Sequence, residues 1–467
     1  MRMIKKTPLL LILIFLNLSI LIFGNENDVT GKWYGVLKIQ GTKLRLSFNI
    51  KKTETGYTST MDSLDQGALG ILVKSTSFEN SILKILIPKL GVNFEGKLKN
   101  GKINGTFKQN GFSFPLILSK KEIKKAKVNR PQEPKKPYPY ISEEVEFENK
   151  EDKIILAGTL TLPNKKDKFP AVILISGSGP QNRNEELLGH KPFLVLADYL
   201  TKKGIAVLRF DDRGTAKSTG NFKKATTFDF VKDVESAVKY LQTRDEIDKS
   251  KIGLIGHSEG GIIALIVSSK NKSVHFIVLM AGPALRGDKL LLLQKKKIES
   301  EMGINAKAVQ YNSQIFAGAY KIIIDEKLKK GELKKRLSDY FTKKYETVLS
   351  KEQKNAIIKQ LTTPWMTTFI RLNPAVYLKK VNCTVLAING DRDLQVPSKE
   401  NLKVMKNTLD KTKIKFSIKE FKGLNHLFQE CKTGLPSKYG QIEETISPKV
   451  LNEISNWILN LKFSSKL

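Results

Sequence analysis

Gly253-Leu254-Ile255-Gly256-His257-Ser258-Glu259-Gly260-Gly261-Ile262-Ile263-Ala264-Leu265 is the stretch that decides the fold of this chain. The apolar residues before Gly256 read as a buried strand, and those after Gly261 as an opening helix. Gly256, Ser258 and Gly260 form G-x-S-x-G in the strand-to-helix context that pattern requires. The glycines permit a strained turn that leaves the Ser258 hydroxyl exposed at the carboxyl edge of a sheet. The helix N-terminus at the same point favours developing negative charge.

A serine nucleophile needs a base, and the base needs an orienting carboxylate, downstream in the order Ser, acid, His. Gly390-Asp391-Arg392-Asp393 follows the strand Val385 to Ile388. Either aspartate could serve; Asp393 is favoured because a sharp turn delivers the fourth residue of G-x-x-D toward the site. His426, in the loop after the strand Phe416 to Phe421, is the candidate base. Of the other histidines, His257 lies inside the turn and should point away from the nucleophile, and His275 begins a strand at the wrong edge. His190 lies in a loop bordering the site and is a candidate substrate contact. The N–H of Glu259, next to the nucleophile, and that of Ser178, in Ser176-Gly177-Ser178-Gly179-Pro180, are the candidate oxyanion donors. That glycine-rich loop lacks G-x-x-x-x-G-K-[ST], and Pro180 removes a donor, so nucleotide binding is not expected.

Around this centre, apolar runs at 171–175, 205–210, 252–255, 276–280 and 385–388 alternate with helical patterns, as in a parallel sheet covered on both faces. Residues 143–162 read as two further strands. From about Arg286 to Leu372 no such strand occurs, and helical spacing dominates, as in Glu332 to Tyr345; this interval is expected to form a helical cap. Upstream, residues 120–140 are Lys-rich with Pro131, Pro134, Pro137 and Pro139, an expected extended linker. From Gly31 to about Leu118 the period is two, with Leu44, Leu46, Phe48 and Ile50 alternating. Asn100-Gly101 and Asn110-Gly111 signal tight hairpins, so residues 25–119 are expected to form a small antiparallel β domain with Trp33 in its core.

The chain has 467 residues, two cysteines and four histidines, too few for a disulfide scaffold or a multi-metal site. Cys383 and Cys431 fall at opposite ends of one strand's length, so both thiols are expected to be free. The net charge of +34 suggests a polyanion partner, but only 11 of the 80 basic residues are arginine, and a lysine excess of this kind reads as compositional drift. No nucleic acid is expected as partner. Arg2, Lys5 and Lys6 precede an apolar stretch from Pro8 to Phe23, the layout of a signal peptide over residues 1–24. Export to the periplasm or exterior is expected; an uncleaved anchor, the alternative, would be the one membrane contact.

Residues from about Glu143 to Leu461 resemble the secreted bacterial α/β-hydrolases described as carboxylesterases, which are similar to serine aminopeptidase-like hydrolases. The resemblance rests on Gly177-Ser178-Gly179-Pro180-Gln181, Arg209-Phe210-Asp211-Asp212-Arg213-Gly214, Gly256-His257-Ser258-Glu259-Gly260, Met280-Ala281-Gly282-Pro283 and Asp393-Leu394-Gln395-Val396-Pro397. The N-terminal domain, with Asp62-Ser63-Leu64-Asp65-Gln66-Gly67, is also similar to the one such proteins carry. Ser176 stands where a His commonly precedes the glycine, Asn182 where an Asp is usual, and Thr215-Ala216-Lys217-Ser218 replaces a Gly-containing continuation. The resemblance implies an α/β-hydrolase fold and ester hydrolysis.

Ser258, His426 and Asp393 are thus expected to form a triad that needs no metal or organic cofactor. The expected substrate is a small ester of short to medium acyl length enclosed under the cap. Ile315, Phe316, Trp365, Met366 and Phe369 could line the pocket, although most of them are expected to be cap core, because amphipathic helices bury one face regardless of ligand. Two other readings remain: a serine aminopeptidase or acyl-peptide hydrolase, and a catalytically inactive surface-binding protein.

Overall fold

The computed structural model describes residues 28–39, 42–66, 68–109, 112–124, 128–325, 328 and 331–462. The N-terminal apolar segment and the Asn110-Gly111 turn lie outside the described residues. The chain divides into two compact units, Met1–Lys125 and Ala126–Leu467.

The first unit contains β1 (Gly31–Ile39), β2 (Thr42–Thr53), β3 (Gly56–Ser63), β4 (Ala68–Leu72), β5 (Ser75–Glu79), β6 (Ile82–Ile87), β7 (Val92–Lys99), β8 (Lys102–Gln109) and β9 (Phe112–Ser119). Their order is β2-β1-β9-β8-β7-β6-β5-β3, and β2 also pairs β3, which closes eight antiparallel strands into a barrel with β4 appended to β3. Closure removes the sheet edges that an open sheet would expose. Alternation fills the interior: along β7, Val92, Phe94 and Leu98 point inward while Asn93, Glu95 and Lys97 face outward. Trp33 is buried there, opposite Phe48 across the strands, and its indole N–H donates to the Val29 carbonyl at 2.7 Å. The acids of the Asp62–Asp65 stretch act as clamps. Asp62 accepts from Ser47 Oγ and the Gly70 N–H, and Asp65 from the Arg45 guanidinium.

The second unit holds β10 (Ile141–Asn149), β11 (Ile154–Leu162), β12 (Phe169–Ile175), β13 (Ala206–Phe210), β14 (Ile247–His257), β15 (Phe276–Met280), β16 (Thr384–Gly390) and β17 (Phe416–Phe421). The sheet order is β10-β11-β13-β12-β14-β15-β16-β17; β10 and β11 are antiparallel to their neighbours and the rest are parallel. The helices are α1 (Pro192–Lys202), α2 (Thr227–Thr243), α3 (Glu259–Ser268), α4 (Gly287–Glu301), α5 (Ala306–Ile323), α6 (Glu332–Tyr345), α7 (Lys351–Leu361), α8 (Pro364–Arg371), α9 (Pro374–Leu378), α10 (Ser398–Leu409) and α11 (Pro448–Leu459).

Both sheet faces are covered, which is why its strands are apolar without alternation. Ile173 of β12 packs in one core with Val238 of α2, Ala264 of α3 and Met405 of α10; Val172 packs in the other with Leu196 of α1 and Ile454 of α11. This is the α/β-hydrolase architecture. The interval 287–371 is occupied by α4 to α8. Ile315, Leu337, Phe341, Ile358 and Ile370 form a separate apolar cluster among these helices, each full burial contributing roughly 1.5–3 kcal/mol. Phe316 and Met366 pack against the same cluster, whereas Phe369 and Trp365 join the core of the sheet. Ile315 and Phe369 are thus buried in packing, as amphipathic helices require, while Phe316, Trp365 and Met366 are half-buried.

Residues 128–140 of the segment expected to be an extended linker form neither helix nor strand. From residue 128 onward this segment is bound along the second unit. The Arg130 guanidinium donates to the carbonyls of Gly189, Gly440 and Ile442. Gln132 donates to the Ile446 carbonyl and accepts from the Thr445 and Ile446 N–H groups. Its prolines prevent a core of its own, but its polar side chains find backbone groups of a distant loop that would otherwise lack partners. Cys383 and Cys431 are both free.

Candidate active site

Ser258 stands between β14 and α3 at φ 54° and ψ −120°, a conformation that costs on the order of 1–3 kcal/mol outside glycine. The two flanking glycines make the turn possible. A Cβ on Gly256 would lie 2.1 Å from the Gly260 carbonyl oxygen, and one on Gly260 would lie 2.1 Å from that of Ile175. The Ser258 N–H donates to the Met280 carbonyl at 2.9 Å, which pins the turn to β15.

The turn after β16 and the loop after β17 bring Asp393 and His426 together. His426 Nδ1 lies 2.7 Å from Asp393 Oδ2, with both residues buried. The other oxygen, Oδ1, accepts from the Gln395 and Val396 N–H groups at 2.8 Å each, so the carboxylate is fixed and satisfied. Asp391 is exposed and accepts from the Gly423 N–H. Asn425 holds the histidine loop by accepting from the Leu427 and Gln429 N–H groups at 3.0 Å.

Gly177 passes so near the nucleophile that a Cβ there would lie 3.2 Å from Ser258 Cβ. Its N–H is bound to Glu185 Oε1 at 2.8 Å. Ser178, the next residue, is exposed, and its N–H meets no acceptor among the described residues. Glu259 is the first residue of α3, where an N–H has no intrahelical acceptor.

Sequence reasoning missed Glu185. This buried residue adopts φ 51° and accepts from Gly177 and from His257 Nδ1, both at 2.8 Å. The His257 ring lies 4.8 Å from that of His426, and its Nε2 lies 3.0 Å from the His426 carbonyl oxygen. Burial opposes protonation of His257, but the charge and hydrogen bond of Glu185 outweigh it and hold its pKa above the ordinary value. Also missed was the Glu259 side chain. Fully enclosed, it accepts from Thr227 Oγ1 at 2.7 Å and from the Trp365 indole N–H, and burial raises its pKa.

The two candidate substrate contacts find other partners. His190 is fully buried, with Nδ1 3.0 Å from Thr445 Oγ1 and Nε2 3.0 Å from the Tyr439 carbonyl, and burial lowers its pKa. It ties its loop to residues 439–445 and leaves no ring nitrogen for a ligand, which corrects the substrate assignment. Trp365, half-buried, spends its N–H on Glu259 and stacks on Phe369. The Arg209–Gly214 motif is also structural: Asp211 pairs with Arg183, Asp212 accepts from Ser176 Oγ, and Arg213 pairs with Asp233.

The family described as serine aminopeptidase, S33, matches residues 191–430, just over half of the chain. This chain belongs to that serine hydrolase family. The matched span contains Ser258, Asp393 and His426, and begins beyond Gly177 and Glu185. Esterase EstD of Thermotoga maritima is 27% identical over 309 residues, 65% of this chain. The match likewise spans 65% of that esterase's own length. An uncharacterized 31.7 kDa Escherichia coli protein is 22% identical over 255 residues, 52% of this chain and 80% of the other. Among solved structures, the Pyrococcus furiosus esterase Pf2001 is similar over 71% of this chain and 98% of its own, at 16% identity and a TM-score of 0.40.

Proposed function

We propose that this protein is an exported serine esterase that hydrolyses small carboxylic esters of short to medium acyl length. The observation that carries the reading is the 2.7 Å hydrogen bond of His426 to a fully satisfied Asp393; a serine in a strained strand-to-helix turn supports it, since the ring of its neighbour His257 lies 4.8 Å from that of His426. In the proposed reaction Ser258 Oγ attacks the ester carbonyl while His426 Nε2 takes its proton. Asp393 fixes the tautomer and stabilises the imidazolium. The N–H groups of Ser178 and Glu259 receive the oxyanion. His426 then returns the proton to the leaving alcohol, and a water activated by the same histidine releases the acid and regenerates Ser258.

An aminopeptidase would need a free carboxylate to hold the substrate's ammonium. Around the elbow, Glu185, Glu259 and Asp212 all have partners inside the protein, which favours an ester over a peptide with a free N-terminus. Export rests on the basic and apolar pattern of residues 1–24. The test is hydrolysis of p-nitrophenyl esters of increasing acyl length beside aminoacyl anilides, with Ser258→Ala as control. Turnover of short esters that vanishes in the alanine variant supports the reading; preference for the anilides would replace it with the peptidase.

A further inference from the structure

Three loops meet at the pair Glu185 and His257. The Gly177 N–H, in the loop that also carries Ser178, donates to Glu185 Oε1 at 2.8 Å. His257 Nδ1 lies 2.8 Å from the same oxygen, and His257 Nε2 lies 3.0 Å from the carbonyl oxygen of His426. A carbonyl oxygen only accepts, so Nε2 carries a proton. With Glu185 ionised, its Oε1 accepts from both the Gly177 N–H and His257 Nδ1. Both ring nitrogens then donate, and the ring is an imidazolium facing a carboxylate.

We infer that Glu185 and the His257 imidazolium form a positioning pair that locks the oxyanion loop at Gly177 to the backbone of the base His426. The inference rests on the triad reading given above. Because Gly177, which passes close to Ser258, spends its N–H on Glu185, the N–H of Ser178 is the next donor of this loop left without an acceptor among the described residues. The same pair fixes the carbonyl of His426, so oxyanion donor and base share one anchor. Glu185 holds a left-handed backbone conformation at φ 51°, the kind of strain that persists only where surroundings impose it.

The charged and titratable groups facing His257 are Glu185, then Asp393 and His426 across the triad. The other packed elements present Pro192, Phe193, Met280, Leu427, Phe428 and Ile446 around a void of about 10 Å³, with no charged side chain among them. The rise in the His257 pKa, which the charge and hydrogen bond of Glu185 produce against burial, has the same sign as this pairing. Loss of a His257 proton would set a nitrogen lone pair against either the Glu185 carboxylate or the His426 carbonyl and break the anchor at that end, so activity should fall on an alkaline limb.

Glu185→Gln removes the charge while preserving shape. An amide cannot stabilise the imidazolium and accept from Gly177 as the carboxylate does. In the full-length protein we expect kcat to fall about 100-fold with KM changed less than threefold, and the alkaline limb of the pH profile to disappear. Wild-type kcat and an unchanged limb, in a variant with a native circular dichroism spectrum, would overturn the pairing. Should the variant not fold, nitrogen-15 spectra of the wild type decide, since the sequence has only four histidines. One beyond His426 must show both nitrogens protonated at pH 7, and four neutral rings would overturn the inference. Failure of the triad reading is separate: it would appear as turnover surviving Ser258→Ala.

Discussion

The indole N–H of Trp365 reaches both carboxylate oxygens of Glu259, at 2.9 and 3.0 Å. Trp365 belongs to α8 of the cap, and Glu259 is the residue after the elbow serine, whose N–H is a proposed oxyanion donor. One side chain thus ties the cap to the start of α3, and Thr227 of α2 adds a second donor to the same carboxylate.

Removing that tie should be felt in stability and in turnover. Trp365→Phe keeps the stacking on Phe369 but leaves the buried Glu259 with one side-chain donor instead of two. The expected cost is about 1–3 kcal/mol, read as a lower denaturant midpoint. Activity on short esters should fall with it, through loosened placement of α3. A variant as stable and as active as wild type would mean that cap and elbow are not coupled through this contact.

The proposed triad makes a sharper prediction about the two aspartates. Ser258→Ala and His426→Ala should each remove nearly all ester turnover, because residues that act as one unit lose function together. Asp393→Asn should cost somewhat less, and Asp391→Asn should leave kcat near wild type, since the exposed Asp391 carboxylate accepts from the Gly423 N–H and not from His426. A crippled Asp391→Asn beside an active Asp393→Asn would reverse the assignment.

The legibility of this site follows from how local each signal is. Ser258, Asp393 and His426 are announced by short patterns at the ends of apolar strands, and the structure brings the last two into hydrogen bond. His190 misled because loop placement suggests exposure, while the groups that bury it, Tyr439 and Thr445, lie some 250 positions away. Glu185 is silent in the sequence: it sits beside Glu186 in a polar loop, and only the tertiary approach of Gly177 and His257 distinguishes the buried glutamate from the exposed one. The proline-rich stretch correctly reads as lacking a core, yet the carbonyls of Gly440 and Ile442 that capture Arg130 cannot be seen from its composition.

That capture changes where the hydrolase can be cut. A chain beginning at Val128 keeps the Arg130 and Gln132 contacts, and should fold and retain esterase activity, since every proposed catalytic group lies beyond it. A chain beginning at Tyr140 loses seven hydrogen bonds that these two side chains make to residues beyond it. At about 1 kcal/mol net each, less what water restores, its melting temperature should fall by several degrees or more. Equal melting temperatures for the two chains would show that the strap contributes nothing.

The final prediction concerns pH and a carboxyl group beneath the oxyanion loop. Asp212 accepts from Ser176 Oγ at 2.8 Å and from the Gln181 N–H at 2.9 Å. With Asp233 and Glu259 it lines a cavity of about 20 Å³. Burial pushes its pKa up, the two neighbouring carboxylates add to the effect, and despite the hydrogen bonds it reaches about 8, against an ordinary 3.8. A group whose folded pKa is raised binds a proton in the native state that the unfolded chain has released. Between about pH 4 and pH 8, its contribution to stability therefore falls as pH rises, with a limiting slope of about 1.4 kcal/mol per unit, and levels off above pH 8. Asp212→Asn imitates the protonated form, its amide donating to Ser176 Oγ while its oxygen accepts from Gln181. Unfolding free energies from urea titrations at pH 5, 6, 7 and 8 should show the variant losing less stability than wild type as pH rises, and overtaking it by pH 8. Parallel curves would mean that Asp212 is already ionised in the native protein, with the Ser176 and Gln181 donors, rather than its burial, setting its charge.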